Sequence, residues 1–161
     1  MRKATVLMMA LVMAFIVGQN NNEALGAEEK ITITEAYTMN YCGDEFDVFG
    51  IWDPIWFYAK CEVSGDPAKT YKVVIIVRPR SLGERIVKKY KKVSNGDTII
   101  FQDFRVIDDE VELGDHTVDF IAKLKKKGGL VHKPDPVSYD VTVQAERPEF
   151  TCYPYPPPEP E

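Results

Sequence analysis

Histidine and cysteine, the side chains most used in nucleophilic and metal-dependent catalysis, are scarce in this sequence. Its 161 residues include two histidines, His116 and His132, and three cysteines. Neither histidine belongs to an H-E-x-x-H zinc motif or a C-x-x-C-H haem attachment motif, and the chain has no phosphate-binding glycine loop and no G-x-S-x-G motif. We therefore expect no catalytic activity, metal or cofactor. A pair of carboxylates that only folding brings together is the alternative, because it leaves no trace in the sequence.

An excess of positive charge is also absent. The chain carries 20 basic and 25 acidic side chains, which gives a net charge of −5 at pH 7. General binding to nucleic acid is therefore not expected, because a negative protein is repelled by the phosphate backbone. The chain is nevertheless expected to fold, since 45% of its residues are hydrophobic and disordered segments have far fewer.

No apolar run is long enough to cross a bilayer as a helix. The run at 4–17 spans about 14 residues, whereas a bilayer requires roughly 20. It follows Arg2 and Lys3 and precedes a polar stretch that closes on small residues at Gly26 and Ala27, which is typical of a secretory signal peptide. We predict a signal peptide over 1–27 and a secreted or periplasmic protein. The alternative is an uncleaved N-terminal anchor.

Helical periodicity is nearly absent from the rest of the chain, and short alternating runs replace it. In 54–63, the odd-numbered positions from Ile55 to Val63 are apolar, which predicts a strand with that face in the core. The predicted strands are 30–39, 54–63, 71–78, 84–93, 98–106, 116–124 and 137–145, and the turn at 94–97 is predicted to close a hairpin. They form one all-β domain over 28–147. A proline-rich tail over 148–161 follows, because proline cannot continue a sheet ladder.

About seven strands with turns roughly every 8 to 12 residues are typical of an immunoglobulin-like antiparallel β-sandwich. The segment Asp108–Ala122, in which Leu113 and Gly114 lead into an alternating strand, resembles the corner before the penultimate strand of bacterial immunoglobulin-like and fibronectin type III-like domains. Those domains usually have a tyrosine where this chain has His116, so we expect the His116 ring to replace the tyrosine hydroxyl. The resemblance implies a fold used in adhesion, spacing, and protein or carbohydrate binding.

The three cysteines are expected to form one disulfide in an exported protein and to leave one thiol. The first and last strands of such a sandwich usually run parallel side by side, so Cys42 and Cys152, which follow those strands, should emerge at the same end. Cys61 is roughly 20 Å from Cys42 along the second strand, too far for a disulfide, which spans about 7 Å between Cα atoms. We predict a Cys42–Cys152 disulfide and a buried Cys61 thiol. The alternative is that Cys152 cross-links two chains.

Aromatic side chains supply the first candidate binding surface. If the odd-numbered residues of 54–63 face the core, Trp56 and Tyr58 lie side by side on the outer face, just after Trp52. Exposed aromatic platforms stack on sugars or anchor protein partners. The alternative is that the tail or the loop at 42–53 covers these rings.

Segregated charge supplies the second candidate surface. Nine basic residues and one acid lie within 69–92, whereas seven acids and one arginine lie within 103–119. Opposite patches allow head-to-tail association, or docking on an acidic polymer through Lys88 and Lys89 of the lysine-rich strand. The alternative is that these lysines only protect an exposed sheet edge from aggregation.

These features predict an exported, non-catalytic module that binds a protein partner or assembles with itself in the cell envelope or extracellular space. The alternative is a carbohydrate-binding module that uses Trp52, Trp56 and Tyr58. The tail at 153–158 is expected to form a polyproline II segment, suited to recognition by an aromatic groove or to wrapping its own domain. A solvated terminus is equally compatible with its composition.

Overall fold

The alternating segments form nine strands in the computed structural model, which describes residues 27–149. The strands are β1 (Lys30–Met39), β2 (Val48–Gly50), β3 (Pro54–Ser64), β4 (Tyr71–Arg78), β5 (Ile86–Val93), β6 (Thr98–Val106), β7 (Gly114–Lys126), β8 (Gly129–His132) and β9 (Val137–Gln144). A short 3-10 turn, Arg80–Leu82, lies between β4 and β5. The predicted signal peptide, apart from its last residue, and the tail beyond residue 149 lie outside the described residues.

Two sheets pack face to face. The first has three strands in the order β1–β3–β6, and the second has the order β2–β9–β7–β4–β5, with β8 beside the end of β7. Neighbouring strands are antiparallel except β2 and β9, which are parallel. The predicted all-β sandwich is confirmed.

The core lies between the sheets and follows the alternation of the sequence. The odd-numbered side chains of β3, from Ile55 to Val63, are all buried, as predicted. In β4, which lies between β5 and β7, Val73, Ile75 and Val77 are buried in the core. Each such side chain contributes about 1.5–3 kcal/mol of hydrophobic stabilisation. Because these side chains point into the core, the alternate side chains of the same strands point to the outer faces of the two sheets.

Two details of the predicted topology are wrong, and two short strands were not predicted. These are β2 and β8, which have only three and four residues, too few for a period of two to show. The turn at 94–97 does not close a hairpin, since β5 pairs with β4 and β6 pairs with β3. The strand that runs parallel beside β9 is β2 and not β1.

His116 takes the corner position that the resemblance implies. Its Nε2 donates to the carbonyl of Glu112 at 2.8 Å, and its Nδ1 lies 2.6 Å from the hydroxyl of Ser81. Because a carbonyl only accepts, Nε2 donates the first of these hydrogen bonds, and Nδ1 forms the second with the Ser81 hydroxyl. Both ring nitrogens of this buried side chain are therefore used in holding the corner, as a tyrosine hydroxyl holds it in related sandwiches.

Asp119 of β7 fastens the 3-10 turn to the second sheet. Two nitrogens of Arg80 donate to its carboxylate, each at 3.1 Å, and the hydroxyl of Ser138 donates at 2.8 Å. The hydrogen bonds from Arg80 are the main reason that the pKa of Asp119 lies below its usual value. The carboxylate is buried, so these hydrogen bonds, rather than contact with water, compensate its negative charge.

The stability supplied by Asp119 should depend on pH. Its pKa is lower in the folded than in the unfolded chain, so its contribution is fully present above the unfolded pKa of about 4 and is lost as pH falls through the folded pKa. We expect Asp119→Asn to cost about 1–2 kcal/mol at pH 7 and clearly less at pH 3, measured by urea unfolding. Asp140→Asn, which neutralises the exposed carboxylate that accepts from Thr117 on the same sheet, is the control. An equal loss for Asp119→Asn at both pH values would contradict this account.

Candidate binding face

The outer face of the first sheet carries aromatic side chains from all three strands. Even-numbered residues of β3 and β6 point to this face, opposite the buried odd-numbered ones. In β1 a bulge between Ile33 and Glu35 shifts the alternation, so Ile31 faces the core whereas Tyr37 points outward. Strict alternation along the sequence would have placed Tyr37 inside, which is why it was not predicted.

Two cross-strand ring pairs occupy the centre of this face. Trp56 of β3 stacks on Phe104 of β6, with ring centroids 4.7 Å apart and planes at 29°. Tyr58 of β3 stacks on Tyr37 of β1, also at 4.7 Å, with planes at 24°. We call the following set the aromatic face: Tyr37, Trp56, Tyr58, Ile100, Phe104 and Val106. Its three members on β6 (Ile100, Phe104 and Val106) are about half exposed.

The aromatic face is electrically neutral at its centre. The charged neighbours Lys60 and Glu35 pair with each other at 2.8 Å, and this contact is the main reason that the pKa of Lys60 is raised. Burial is the main reason that the pKa of Tyr37 is raised, so its phenol is uncharged at neutral pH. The aromatic face therefore presents an apolar surface, and the charges of Lys60 and Glu35 beside it compensate each other.

Trp52 extends the surface beyond the end of the strands. Its backbone N–H donates to the carbonyl of Ile107 at 2.7 Å, and Ile107 directly follows Val106 of the aromatic face. Its φ is +71° and its side chain is 63% exposed. A bulky residue in the left-handed region is strained, and such residues concentrate at functional sites. Because the side chain is largely exposed, packing in the core does not explain a tryptophan at this position.

A cavity of about 260 Å³ lies beside Trp56. Its lining residues are Met39, Asn40, Tyr41, Cys42, Gly43, Trp56 and Gln102. The turn that borders it is built by the side-chain oxygen of Asn40, which accepts from the N–H groups of Cys42 and Asp44 at 2.9 and 3.1 Å. Gly43 has a φ of +89°, a conformation that favours glycine. The predicted loop at 42–53 thus borders the face without covering Phe104.

The free edge of β6 is protected by side chains of β5. The hydroxyl of Tyr90 donates to the carbonyl of Ile100 at 3.1 Å, and the amine of Lys88 donates to the carbonyl of Gln102 at 3.3 Å. Lys88 was predicted to bind a partner. In the structure its amine binds a backbone carbonyl on this edge.

The edge formed by β1 is also protected. The N–H of Ile31 donates to Nδ1 of His132 at 3.2 Å, and the carbonyl of Thr38 accepts from the N–H of Phe46 at 2.9 Å. Two backbone hydrogen-bonding groups on each edge of the first sheet thus have partners within the domain. This disfavours recognition by strand addition and leaves the face as the surface for contact.

The remaining predicted site residues lie apart. Lys89 is on β5, where it pairs in register with Val74 on the second sheet. Cys61 is the free cysteine among the described residues, and burial raises its pKa to about 12, so its thiol is not a nucleophile at neutral pH. Cys42 lies in the turn before β2. Cys152 is outside the described residues, and its pairing with Cys42 stays a prediction.

Residues 27–149 contain neither a cluster of metal-binding side chains nor a membrane-spanning helix. Within that part of the chain, no group of three or more histidine, cysteine, aspartate or glutamate side chains is arranged to hold a metal ion. No helix in the same range is long and apolar enough to cross a membrane.

Comparisons with known proteins bear on the fold. No protein-family profile matches the chain, and no curated protein matches its sequence. The C-terminal domain of Wzt aligns with 76% of this chain over 84% of its own length, with a TM-score of 0.51 and 16% identity. The fold is an immunoglobulin-like β-sandwich. At this identity the likeness of the two sandwiches extends to their fold alone.

Other solved structures align more loosely. The CARDB domain of a Pyrococcus furiosus protein covers 74% of this chain over 97% of its own length, with a TM-score of 0.43 and 12% identity. A β-glucosidase from Erythrobacter marinus covers 72% of this chain over 16% of its own length, with a TM-score of 0.47 and 14% identity.

Proposed function

We propose that this protein is an exported, non-catalytic binding module whose aromatic face contacts a protein partner. The observation that carries the proposal is the neutral aromatic surface on the first sheet, with two stacked ring pairs and half-exposed apolar side chains on β6. Aromatic side chains dominate the centres of protein interfaces. Contiguous apolar surface of this kind is uncommon on isolated monomers and typically marks a contact site.

The arrangement of the rings favours a protein over a sugar. A sugar stacks on a ring face that is open to solvent. One face of Trp56 is covered by Phe104, and on its other side lies Met39, its neighbour in register on β1. Tyr58 is covered in the same way by Tyr37. The half-exposed side chains of β6 and the exposed Trp52 remain for contact, and this mixture of aliphatic and aromatic surface suits packing against the apolar surface of a protein.

Two further observations support the remaining parts of the proposal. The neutral, buried thiol of Cys61 and the fully bonded ring of His116 remove the two side chains best suited to nucleophilic catalysis in the described residues. Export rests on the sequence pattern of 1–27, in which two basic residues precede a short apolar run.

Site-specific photo-crosslinking in the native host would test the proposal. The photoreactive amino acid p-benzoylphenylalanine would replace Phe104 on the aromatic face or, as a matched control, Val87, which is similarly exposed on the outer face of the second sheet. We expect a discrete protein adduct from position 104 and none from position 87. Trp56→Ala, shown by its thermal unfolding to be folded, should abolish the adduct, because the stacked pair is removed.

The outcomes separate the alternatives. An adduct with the mass of two copies of this chain would show that the partner is the protein itself, as assembly requires. No adduct at position 104, or equal adducts at both positions, would overturn the proposal. Binding on a glycan array that Trp56→Ala abolishes, without any protein adduct, would replace it with a carbohydrate-binding module.

A further inference from the structure

The outer face of the second sheet brings lysines together from three strands. Lys72 of β4 lies in register between Lys91 of β5 and Lys125 of β7. One row further along, Val74 lies between Lys89 and Lys123. We call the following set the lysine face: Lys72, Lys89, Lys91, Lys123 and Lys125. Neighbouring strands are only about 4.8 Å apart, so these amines are crowded.

This crowding is not relieved by acids. The ion pairs within residues 27–149 involve Lys60, Lys69, Arg80, Lys126 and Arg147, and none involves the lysine face. Like charges directly opposite each other on neighbouring strands are destabilising. The arrangement therefore costs stability in the protein alone.

Protection of a sheet edge explains only part of the lysine face. Lys89 and Lys91 lie on β5, which is an edge strand, but Lys72 lies on β4 and Lys125 on β7, which are both internal. An internal strand has no free hydrogen-bonding edge to protect. The lysines of β4 and β7 thus require another explanation.

A cavity of about 360 Å³ adjoins the lysine face. Its lining residues are Thr70, Tyr71, Lys72, Lys91, Lys92, Lys126 and Lys127. A bulge in β5 opposite Tyr71 makes Lys92 an extra residue, with a φ of +60°, so that consecutive lysines of β5 both line the cavity. Lys126 is paired at 2.9 Å with Glu29. The remaining lysines of the lining have no ion pair within the described residues, and the lining includes no carboxylate.

The acids of the sheet lie at its other end. Asp119, the nearer acid of β7, is separated from Lys125 by six positions along the strand, or roughly 20 Å, and its charge is paired with Arg80. This distance exceeds the screening length of about 8 Å at physiological salt more than twofold. The lysine face therefore keeps its positive potential although the whole chain has a net charge of −5.

We propose that the lysine face and its cavity bind an acidic polysaccharide through carboxylate, sulfate or phosphate groups. The cavity holds discrete anionic groups, and the rows of lysines continue the contact along a polymer. Nucleic acid fits less well, because the aromatic ring in the lining, Tyr71, is buried and offers no platform for bases. A lipid surface also fits less well, because the lining of the cavity is concave and the exposed apolar neighbour of Lys125 in register, Leu130, lies outside that lining. This site is on the opposite sheet from the aromatic face and does not depend on it.

Binding of dextran sulfate by the full chain, with uncharged dextran as a reference, tests the proposal by calorimetry in 0.15 M salt. We expect the double variant Lys72→Gln/Lys125→Gln to lose at least tenfold in affinity and to show a weaker dependence on salt. Its stability should equal or exceed that of the wild type, since like-charge repulsion is relieved. The control is Arg85→Gln/Lys133→Gln, which removes the same charge from exposed positions off the lysine face.

The control pair is expected to change affinity less than twofold. An equal loss in both pairs would mean that net charge alone acts and would overturn the proposal. Absence of binding to dextran sulfate in 0.15 M salt would also overturn it. Tighter binding to single-stranded DNA or to vesicles containing anionic lipid than to dextran sulfate would assign the lysine face to another class of ligand.

Discussion

Asp53→Ala should destabilise the domain by about 2–4 kcal/mol, because it leaves a buried N–H without an acceptor and removes the charge that pairs with Arg147. The Asp53 side chain is 2% exposed. One carboxylate oxygen accepts from the N–H of Gly50 at 2.8 Å, and the other accepts from Nε of Arg147. Its backbone carbonyl accepts from Ile107 at 3.0 Å. Asp53 therefore joins β2, the segment after β6 and the segment after β9.

The geometry around Gly50 shows why these segments depend on one carboxylate. A Cβ at Gly50 would lie 2.6 Å from the Cα of Arg147, so glycine is required for the backbones to approach. With no side chain at Gly50 to pack, the hydrogen bonds of Asp53 add to the backbone pairing of β2 with β9 in holding this contact. Trp52 and the end of the aromatic face lie next to this junction, so its loosening should also disturb the binding surface.

Urea unfolding monitored by tryptophan fluorescence measures the effect. Asp53→Asn should fall between wild type and Asp53→Ala, since an amide keeps one acceptor but loses the charge. Arg147→Ala is the comparison variant and should cost less than Asp53→Ala, because it keeps the hydrogen bond from Gly50 to Asp53 and removes a side chain that is 57% exposed, although it leaves the buried carboxylate without its counter-charge. A cost for Asp53→Ala within about 0.5 kcal/mol of zero, or equal to that of Arg147→Ala, would contradict this role.

Local patterns in the sequence predicted those features that depend on residues close together along the chain. The alternation from Ile55 to Val63 identified the core face of β3, which depends on residues within one strand. The resemblance of 108–122 to a sandwich corner implied the role of His116, whose hydrogen bond to Glu112 is local whereas that to Ser81 is not. Cys61 was correctly predicted to be buried for the same reason, since it shares the apolar face of its own strand.

Features that depend on distant pairing could not be predicted in this way. The bulge that turns Tyr37 outward is set by its pairing with β3, and the stacking of Phe104 on Trp56 depends on the register of β6. The turn at 94–97 carries a strong Asn-Gly signal, yet this signal does not say whether the next strand joins the same sheet. The lysine face likewise needs the register of three strands, which counting the lysines of 69–92 does not supply.

Reduction of the predicted Cys42–Cys152 disulfide should cost about 2–4 kcal/mol, because the disulfide closes a loop of about 110 residues. The expectation that the first and last long strands, β1 and β9, lie side by side is wrong. Another contact favours the pairing of these two cysteines. The guanidinium of Arg147 lies 5.5 Å from the ring centre of Tyr41, next to Cys42. Five residues span at most about 18 Å, so Cys152 is within reach of Cys42.

Mass spectrometry and unfolding of the exported protein test this pairing together. We expect a monomer lighter than the reduced chain by two hydrogen atoms, in which Cys61 reacts with an alkylating reagent only after unfolding, since its thiol is buried and neutral. Cys42→Ser should lower stability as much as reduction does, whereas Cys61→Ala, the control, should leave the response to reductant intact. A covalent dimer as the main species would refute the internal disulfide. Because Cys42 borders the cavity beside Trp56, an internal disulfide would hold the proline-rich tail at the end of the aromatic face, and its reduction should then alter crosslinking from position 104.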